Sequence, residues 1–535
     1  MARLTLRLPA SLALLALSLA PIGCGDNGLE PDEIDIGSAG DDESGVGDEA
    51  GSTSDGGTAD GGTGTTDGDS TTGNDDGFDT TGDEDTTEST DTGEMCDDQN
   101  DTVLYLSPDD SNSMASPELV RARVLVENYQ SLKDIELRPW EFMNYYGFPY
   151  PAAEDGDLAI AAAMAPMEGF SDRWRMQIGV ASEIMTSDER PPVNVTLVVD
   201  TSGSLQGEPF EQLKASCRAI ASKLRVGDTV SLVRWSVDNE WLLAGYAVEG
   251  PDDPLVLAEI DALEPGGVTD LHGGLSSGYE LAQQVYDIDA LNRLVLITDG
   301  DANAGVTDVE LIAANAEYGG SDGIYLVGVG VGSTWAYGGE LMDTVTDAGK
   351  GASVFLSSTE EAWEVFGDKF ENTMAIAARN VQVQLTMPPG FEIVKFSGES
   401  FGSDPKEIDP QHLAPNDQMV FHQQVRTCAP DQAGDDAMVS VAVTWEDPTT
   451  FESKQKQVSW TLGELMAEDQ ALLLKGAAVL TYVDTLTVFK SAISITQKTA
   501  ALQPGLDALA QAQQALPGDA EIEEMILILE MLLPD

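Results

Sequence analysis

Asp200, Ser202 and Ser204 alternate in the run Asp200-Thr201-Ser202-Gly203-Ser204, so one turn offers a carboxylate and two hydroxyls at every second position. Two more oxygen donors lie far along the chain, Thr269 in Pro265-Gly266-Gly267-Val268-Thr269-Asp270 and Asp299 in Ile297-Thr298-Asp299-Gly300. Hard oxygen donors of this kind suit Mg²⁺ or Mn²⁺, which favour six ligands, keep waters and need only one or two carboxylates. So few protein donors leave room for an external ligand. A helix expected from Glu208 adds its positive N-terminal dipole, which favours an incoming carboxylate.

The elements around these residues follow from hydrophobic period. Val195-Thr196-Leu197-Val198-Val199 and Leu294-Val295-Leu296-Ile297 are near-continuous apolar strands, as in a sheet covered by helices on both faces. Strands are expected at 193–199, 229–235, 241–248, 292–298, 323–329 and 352–356. Helices are expected at 208–224, 254–263, 273–286, 308–318, 339–348 and 360–377. This alternation predicts a doubly wound, mostly parallel α/β domain over 191–378. Asp200 and Asp299 both end strands, at the edge where open α/β sheets bind ligands. Before it, 96–190 reads as a flanking region with helices at 117–129 and 139–146 and strands at 157–165 and 173–181. After it, Val381 to Leu385 and Val439 to Val443 alternate with period two inside a β-rich stretch, 379–465. Helices at 466–491, 502–516 and 520–532 form a C-terminal helical region, 466–535. Strands on both sides suggest that the α/β unit is inserted in, or flanked by, a β-sandwich.

Asp-x-Ser-x-Ser after an apolar strand, a distant Thr after Gly-Gly, and Thr298-Asp299-Gly300 together resemble the metal-ion-dependent adhesion site of von Willebrand factor type A domains. The resemblance implies a Rossmann-like fold in which Asp200, Ser202, Ser204 and Thr269 ligate directly or through water and Asp299 mainly through water. It also implies that an Asp or Glu of a protein partner completes the metal's shell. The wider run from Trp140-Glu141-Phe142 through Asn292 to Asn303 and on to Asp347-Ala348-Gly349 resembles the bacterial lipoprotein branch of that family.

Rival motifs fail on context. Asp299, Asp301, Asn303 and Glu310 imitate a calcium loop, but Ala304 stands where glycine is needed and a strand precedes it. Gly319-Gly320-Ser321-Asp322-Gly323 leads into a strand, whereas a hydrolase nucleophile elbow follows one. Gly328, Gly330 and Gly332 read as a tight loop near the metal. His272 stands close to Thr269, either as a bystander or as a ligand-contact candidate. Trp335 and Tyr337 follow the fifth strand on the same edge, where they either anchor a partner or pack on their own loop.

The N-terminus supplies an address. Arg3 and Arg7 precede an apolar run ending in Pro21-Ile22-Gly23-Cys24, which reads as a signal peptide, 1–23. Gly23-Cys24 resembles the lipobox of bacterial lipoproteins, with Pro21 where that family usually has leucine, and implies lipidation of Cys24. From 24 to 95 the chain is almost all Asp, Glu, Gly, Ser and Thr with no Lys or Arg, an acidic disordered stalk spanning on the order of 45 Å. Cys217 falls on an apolar helical face as a core thiol, leaving Cys96 and Cys428 as a possible disulfide. A formal charge of −68 excludes nucleic acid as a partner and argues against adsorption on anionic lipid. No later run reaches the roughly 18 to 20 apolar residues of a membrane span.

The expected protein is therefore a non-enzymatic lipoprotein of the bacterial cell envelope, at the outer membrane or cell surface. It touches the membrane through its lipid only and binds a protein ligand through Mg²⁺ or Mn²⁺. An envelope assembly scaffold with a structural metal is the alternative, and a metal-dependent hydrolase a remote one, for which no candidate base stands out.

Overall fold

The computed structural model describes residues 97–108, 113–154, 156–300, 323–335, 337, 339–448 and 450–533. The signal, the stalk, Cys24, Cys96, the calcium-like stretch beyond Gly300 and the helix expected at 308–318 lie outside the described residues. The first strands are β1 (Thr102–Ser107), β2 (Ala159–Pro166) and β3 (Arg173–Ala181). The α/β region contributes β4 (Val193–Asp200), β5 (Thr229–Trp235), β6 (Asn239–Ala247), β7 (Leu291–Thr298), β8 (Tyr325–Val331) and β9 (Ser353–Leu356). Then come β10 (Ala378–Met387), β11 (Phe391–Phe396), β12 (Ser400–Gly402), β13 (Gln411–Leu413), β14 (Gln418–Thr427), β15 (Met438–Glu446) and β16 (Ser453–Thr461).

The α/β sheet runs β6-β5-β4-β7-β8-β9. All its pairs are parallel except β5 with the edge strand β6. Every residue of β4 is buried, as a central strand with helices on both faces requires. From β4 the chain first builds outward to β5 and then returns to the other side of β4 with β7. The strand order therefore reverses between β4 and β7, which opens a crevice at their carboxyl ends.

Two further sheets run β12-β1-β10-β15-β16, with β13 also paired to β10, and β11-β14-β3-β2. Each takes strands from both sides of the α/β unit, since β1 pairs with β10 and β3 with β14. Their inner faces share one core, in which Leu106 and Ile178 meet Leu385, Phe421 and Val441. The α/β domain is thus inserted in a β-sandwich. The C-terminal helices are not a separate body: Tyr482, Leu509 and Ile528 share a core with Phe142 and Tyr146 of the N-terminal flank.

Some boundaries differ from expectation for local reasons. The helix expected at 360–377 is Thr359–Trp363, a wider π turn at Glu364–Asp368, and Phe370–Met374, loosened at Gly367, a residue of low helix propensity. The helix expected from 466 is two, Leu462–Ala467 and Ala471–Ser491. The Asp469 carboxylate accepts the Ala471 N–H at 2.9 Å, a local bond that restarts the helix instead of continuing it.

Candidate metal centre

Asp200 ends β4 with no solvent exposure, and its two oxygens are held separately. Oδ1 accepts the Ser202 N–H at 2.7 Å, and Oδ2 accepts the Thr298 hydroxyl at 2.7 Å. The Ser202 and Ser204 hydroxyl oxygens lie 3.0 Å apart, so the alternate donors of this turn converge. Asp299 follows Thr298 at the end of β7, buried, and its charge acts on Asp200. The parallel register that sets Val199 beside Ile297 brings these two strand ends level.

The glycine-rich loop is tied onto the same turn. The Gly266 N–H donates to the Thr201 carbonyl at 2.6 Å and the Gly203 N–H to the Gly267 carbonyl at 3.2 Å. Gly267 has φ +98°, and a Cβ there would stand 2.4 Å from the Ser236 Oγ, so both its backbone and its surroundings demand glycine. Thr269, two residues further along this loop, is buried. The loop ends where the Asp270 carboxylate caps the Leu271–Gln284 helix, accepting the Gly273 N–H at 3.0 Å.

Burial pushes the Asp200 carboxyl up to about 6 against the hydrogen bonds from Thr298 and Ser202, and the Asp299 charge adds to the rise. The groups that act on it most strongly are thus neutral donors and a second carboxylate, with no cation among them. A buried carboxylate without a countercharge is costly, and a divalent cation among these oxygens would supply one. The donor set of two carboxylates and three hydroxyls fits such an ion. Among the described residues no group of three or more His, Cys, Asp and Glu side chains is gathered for a metal, so a site here is one of hydroxyls as much as carboxylates.

The remaining candidates separate. Trp335 is 53% exposed, with its ring 3.5 Å from the Arg123 Cζ and edge-on to Tyr129 at 4.9 Å. Tyr337 is turned inward instead: its hydroxyl lies 3.1 Å from the Ser353 Oγ and its ring packs on Phe355. A Cβ at Gly330 would stand 2.1 Å from that ring. This removes Tyr337 from the surface contacts. It also corrects the reading of the glycines, because Gly328 and Gly330 are β8 positions that make room for neighbours, and only Gly332, at φ +105°, makes a turn. His272 is half-buried on the first turn of the Leu271–Gln284 helix. Cys428 takes part in a disulfide, whereas Cys217 is a buried thiol pushed up to about 12 by burial. Two residues were not singled out by spacing. Thr298 orients Asp200, and Arg123 clamps the loop carrying Trp335 by donating to the Thr334 carbonyl at 3.1 Å and to Asp134 at 2.9 and 2.8 Å.

Comparison with known proteins bears on the α/β region. The family model for the von Willebrand factor type A domain matches residues 194–367. Uncharacterized protein YfbK of Escherichia coli K12 is 25% identical over 298 residues, 54% of this chain and 50% of its own length. Inter-alpha-trypsin inhibitor heavy chain H1 of Homo sapiens is 32% identical over 130 residues, 23% of this chain and 14% of that one. The chain spans about half the length of the first curated relatives it matches. Among solved structures, the von Willebrand factor type A protein from Catenulispora acidiphila aligns with 70% of this chain and 96% of its own at 13% identity and a TM-score of 0.46. By family match, sheet order and the loops at its switch point, this chain carries a von Willebrand factor type A domain over residues 194–367.

Proposed function

We propose that the chain is a surface-tethered binding protein that grips an acidic side chain of a partner through Mg²⁺ or Mn²⁺ held by Asp200, Ser202, Ser204, Thr269 and Asp299. The observation that carries this reading is the fully buried Asp200 carboxylate at the sheet's switch point, surrounded by hydroxyls and a second carboxylate. When bound, the ion supplies an electrophilic centre with coordination left over for an oxygen of the partner. Thr298 fixes the carboxylate's orientation, and the Gly203 to Gly267 hydrogen bond holds the two loops in register. Trp335 offers a half-exposed aromatic anchor beyond the same sheet edge. Lipidated Cys24 and the stalk would hold the domain away from a membrane of the cell envelope.

The test is a pull-down of envelope proteins with the full chain in Mg²⁺ or in chelator, repeated with Asp200→Ala. Capture that needs both the ion and Asp200 supports the reading. Capture by the variant in chelator, equal to that by the unaltered chain, sinks it. A fall in thermal midpoint on chelation with the partner still bound favours a structural metal in an assembly scaffold.

A further inference from the structure

A cleft of about 360 Å³, counting its open mouth, lies between the outer face of the β11-β14-β3 sheet and the Ala471–Ser491 helix. Its walls include Arg175, Lys395, Gln424, Ser397, His422 and Asp484. Register explains how the first three meet. Gln424 stands opposite Arg175 on β3 and opposite Lys395 on β11, so the three form one row on one face of the sheet. Lys395 reaches that row only because β11 carries an extra residue between Ile393 and Lys395. Without this bulge, strict alternation would turn Lys395 to the sandwich interior. Bulges of this kind re-aim side chains and are enriched beside functional sites.

The charge in this row runs against the whole molecule, in which 94 acidic residues face 26 Lys and Arg. With acids in such excess, a half-buried arginine would be expected to have an acidic partner. Arg175 has none: among the described residues its guanidinium makes no ion pair, hydrogen bond or ring contact. Lys395 does pair with Asp484, at 2.8 Å, but both side chains are about half exposed, and such a pair is weak enough for an incoming anion to displace. At the floor, the Gln177 amide donates to the Tyr150 hydroxyl and the Leu472 carbonyl, which leaves its oxygen to accept from His422 Nδ1 at 2.9 Å. Burial and the two cations hold His422 neutral, down to about 3. Gly476 permits this close approach, because a Cβ there would stand 1.9 Å from the Gln177 oxygen.

We propose that this cleft binds a small oxyanion, a carboxylate or a phosphate, with Arg175 and Lys395 as its positive walls and the Gln424 amide and Ser397 hydroxyl as neutral donors. The site is independent of the metal loops. A planar guanidinium fork beside an ammonium and an amide matches oxyanion geometry.

The experiment is thermal unfolding of the full chain in increasing phosphate, acetate or chloride at constant ionic strength. A saturable rise of a few degrees with phosphate or acetate, absent with chloride, is expected. The arm that saturates tells a phosphate from a carboxylate ligand. Arg175→Gln should weaken the response about tenfold, a loss typical of a charge-assisted hydrogen bond. Asp484→Asn, a change at an exposed position, should tighten it about fivefold by releasing Lys395. No saturable rise with either oxyanion, an equal rise in Arg175→Gln, or a weaker one in Asp484→Asn would overturn the proposal. So would a rise that climbs without limit in every variant, which is exclusion of salt from the protein surface.

Discussion

At the scale of single residues, the candidate donors could be proposed from sequence because their types and spacing lie within short loops. Thr298 escaped because its hydroxyl matters only once β7 lies beside β4. Its bond to Asp200 is made to a charged group, worth roughly 1.5–3 kcal/mol. Thr298→Val should therefore lower the affinity for Mg²⁺ or Mn²⁺ by about tenfold or more without unfolding the chain; calorimetric titration at fixed pH measures it, and an unchanged affinity would show that Thr298 does not set the donor geometry. Buried histidines give a second residue-scale prediction. His412 and His422 are both held at about 3, mainly by burial, against an ordinary value near 6.5. Between those values the unfolded chain binds a proton that the folded one refuses, so each histidine's contribution is complete above about 6.5 and is lost as pH falls toward 3. Asp417, raised to about 6 by burial, acts the opposite way, stabilising as pH falls from about 6. The clean readout is thus a difference. His422→Gln should reduce the acid loss of urea-unfolding stability by about 1 kcal/mol per pH unit below 6, and identical slopes in the two proteins would contradict a neutral buried His422.

Elements were legible where a strand or helix had one apolar period and opaque where pairing made the element. The parallel strands β4 and β7 announced themselves as apolar runs. By contrast, β16 alternates exposed Ser and Gln with half-exposed Lys454, Lys456 and Val458, and exists because β15 pairs with it along its whole length. The Leu271–Gln284 helix shows a conflict that magnitudes decide. Gly274 and Gly278 lie on its inner face, where a Cβ would stand 2.4 Å from the Trp235 ring and from a Val198 methyl. Alanine would gain about 1 kcal/mol of helix propensity, but crowding a packed core costs about 1–3 kcal/mol. Contact at 2.4 Å puts the cost at the upper end, so Gly278→Ala should lower unfolding stability by about 1–2 kcal/mol in denaturant melts; a stabilised variant would mean that the helix can lift off β4 freely. The loop after β8 has an equally specific anchor. Arg123 is fully buried, and Glu127 accepts the Thr334 N–H at 3.0 Å beside it. Arg123→Met should accelerate hydrogen exchange at Thr334 and Trp335 while leaving β4 and β7 protected.

At the scale of the whole molecule, strands on both sides of the α/β unit are legible in the sequence, whereas how tightly the two bodies are joined depends on long-range packing. The junction proves to be extensive. The Met114 N–H donates to the Ser353 carbonyl at 2.9 Å, and the half-buried Glu118 carboxylate accepts the Phe355 N–H at 2.6 Å, so the N-terminal flank covers the outer edge of β9. Phe355 itself, without exposure, packs in the flank's core beside Phe142 and Tyr482 rather than with the sheet's own interior. On the opposite end, the Arg293 side chain of β7 donates to the Met374 and Ala375 carbonyls at 2.9 and 3.2 Å, pinning the chain where it leaves the domain. An inserted domain commonly folds alone when its ends meet, yet here excision would strip β9 of its cover and expose Phe355 beside an unpaired strand edge. Such an edge is a template for association with another copy. A fragment of residues 191–378 should therefore unfold at lower denaturant than the full chain and self-associate in sedimentation, and Phe355→Ser in the fragment should reduce that association. A fragment that stays monomeric with the stability of the full chain would show that the flanks merely carry the domain.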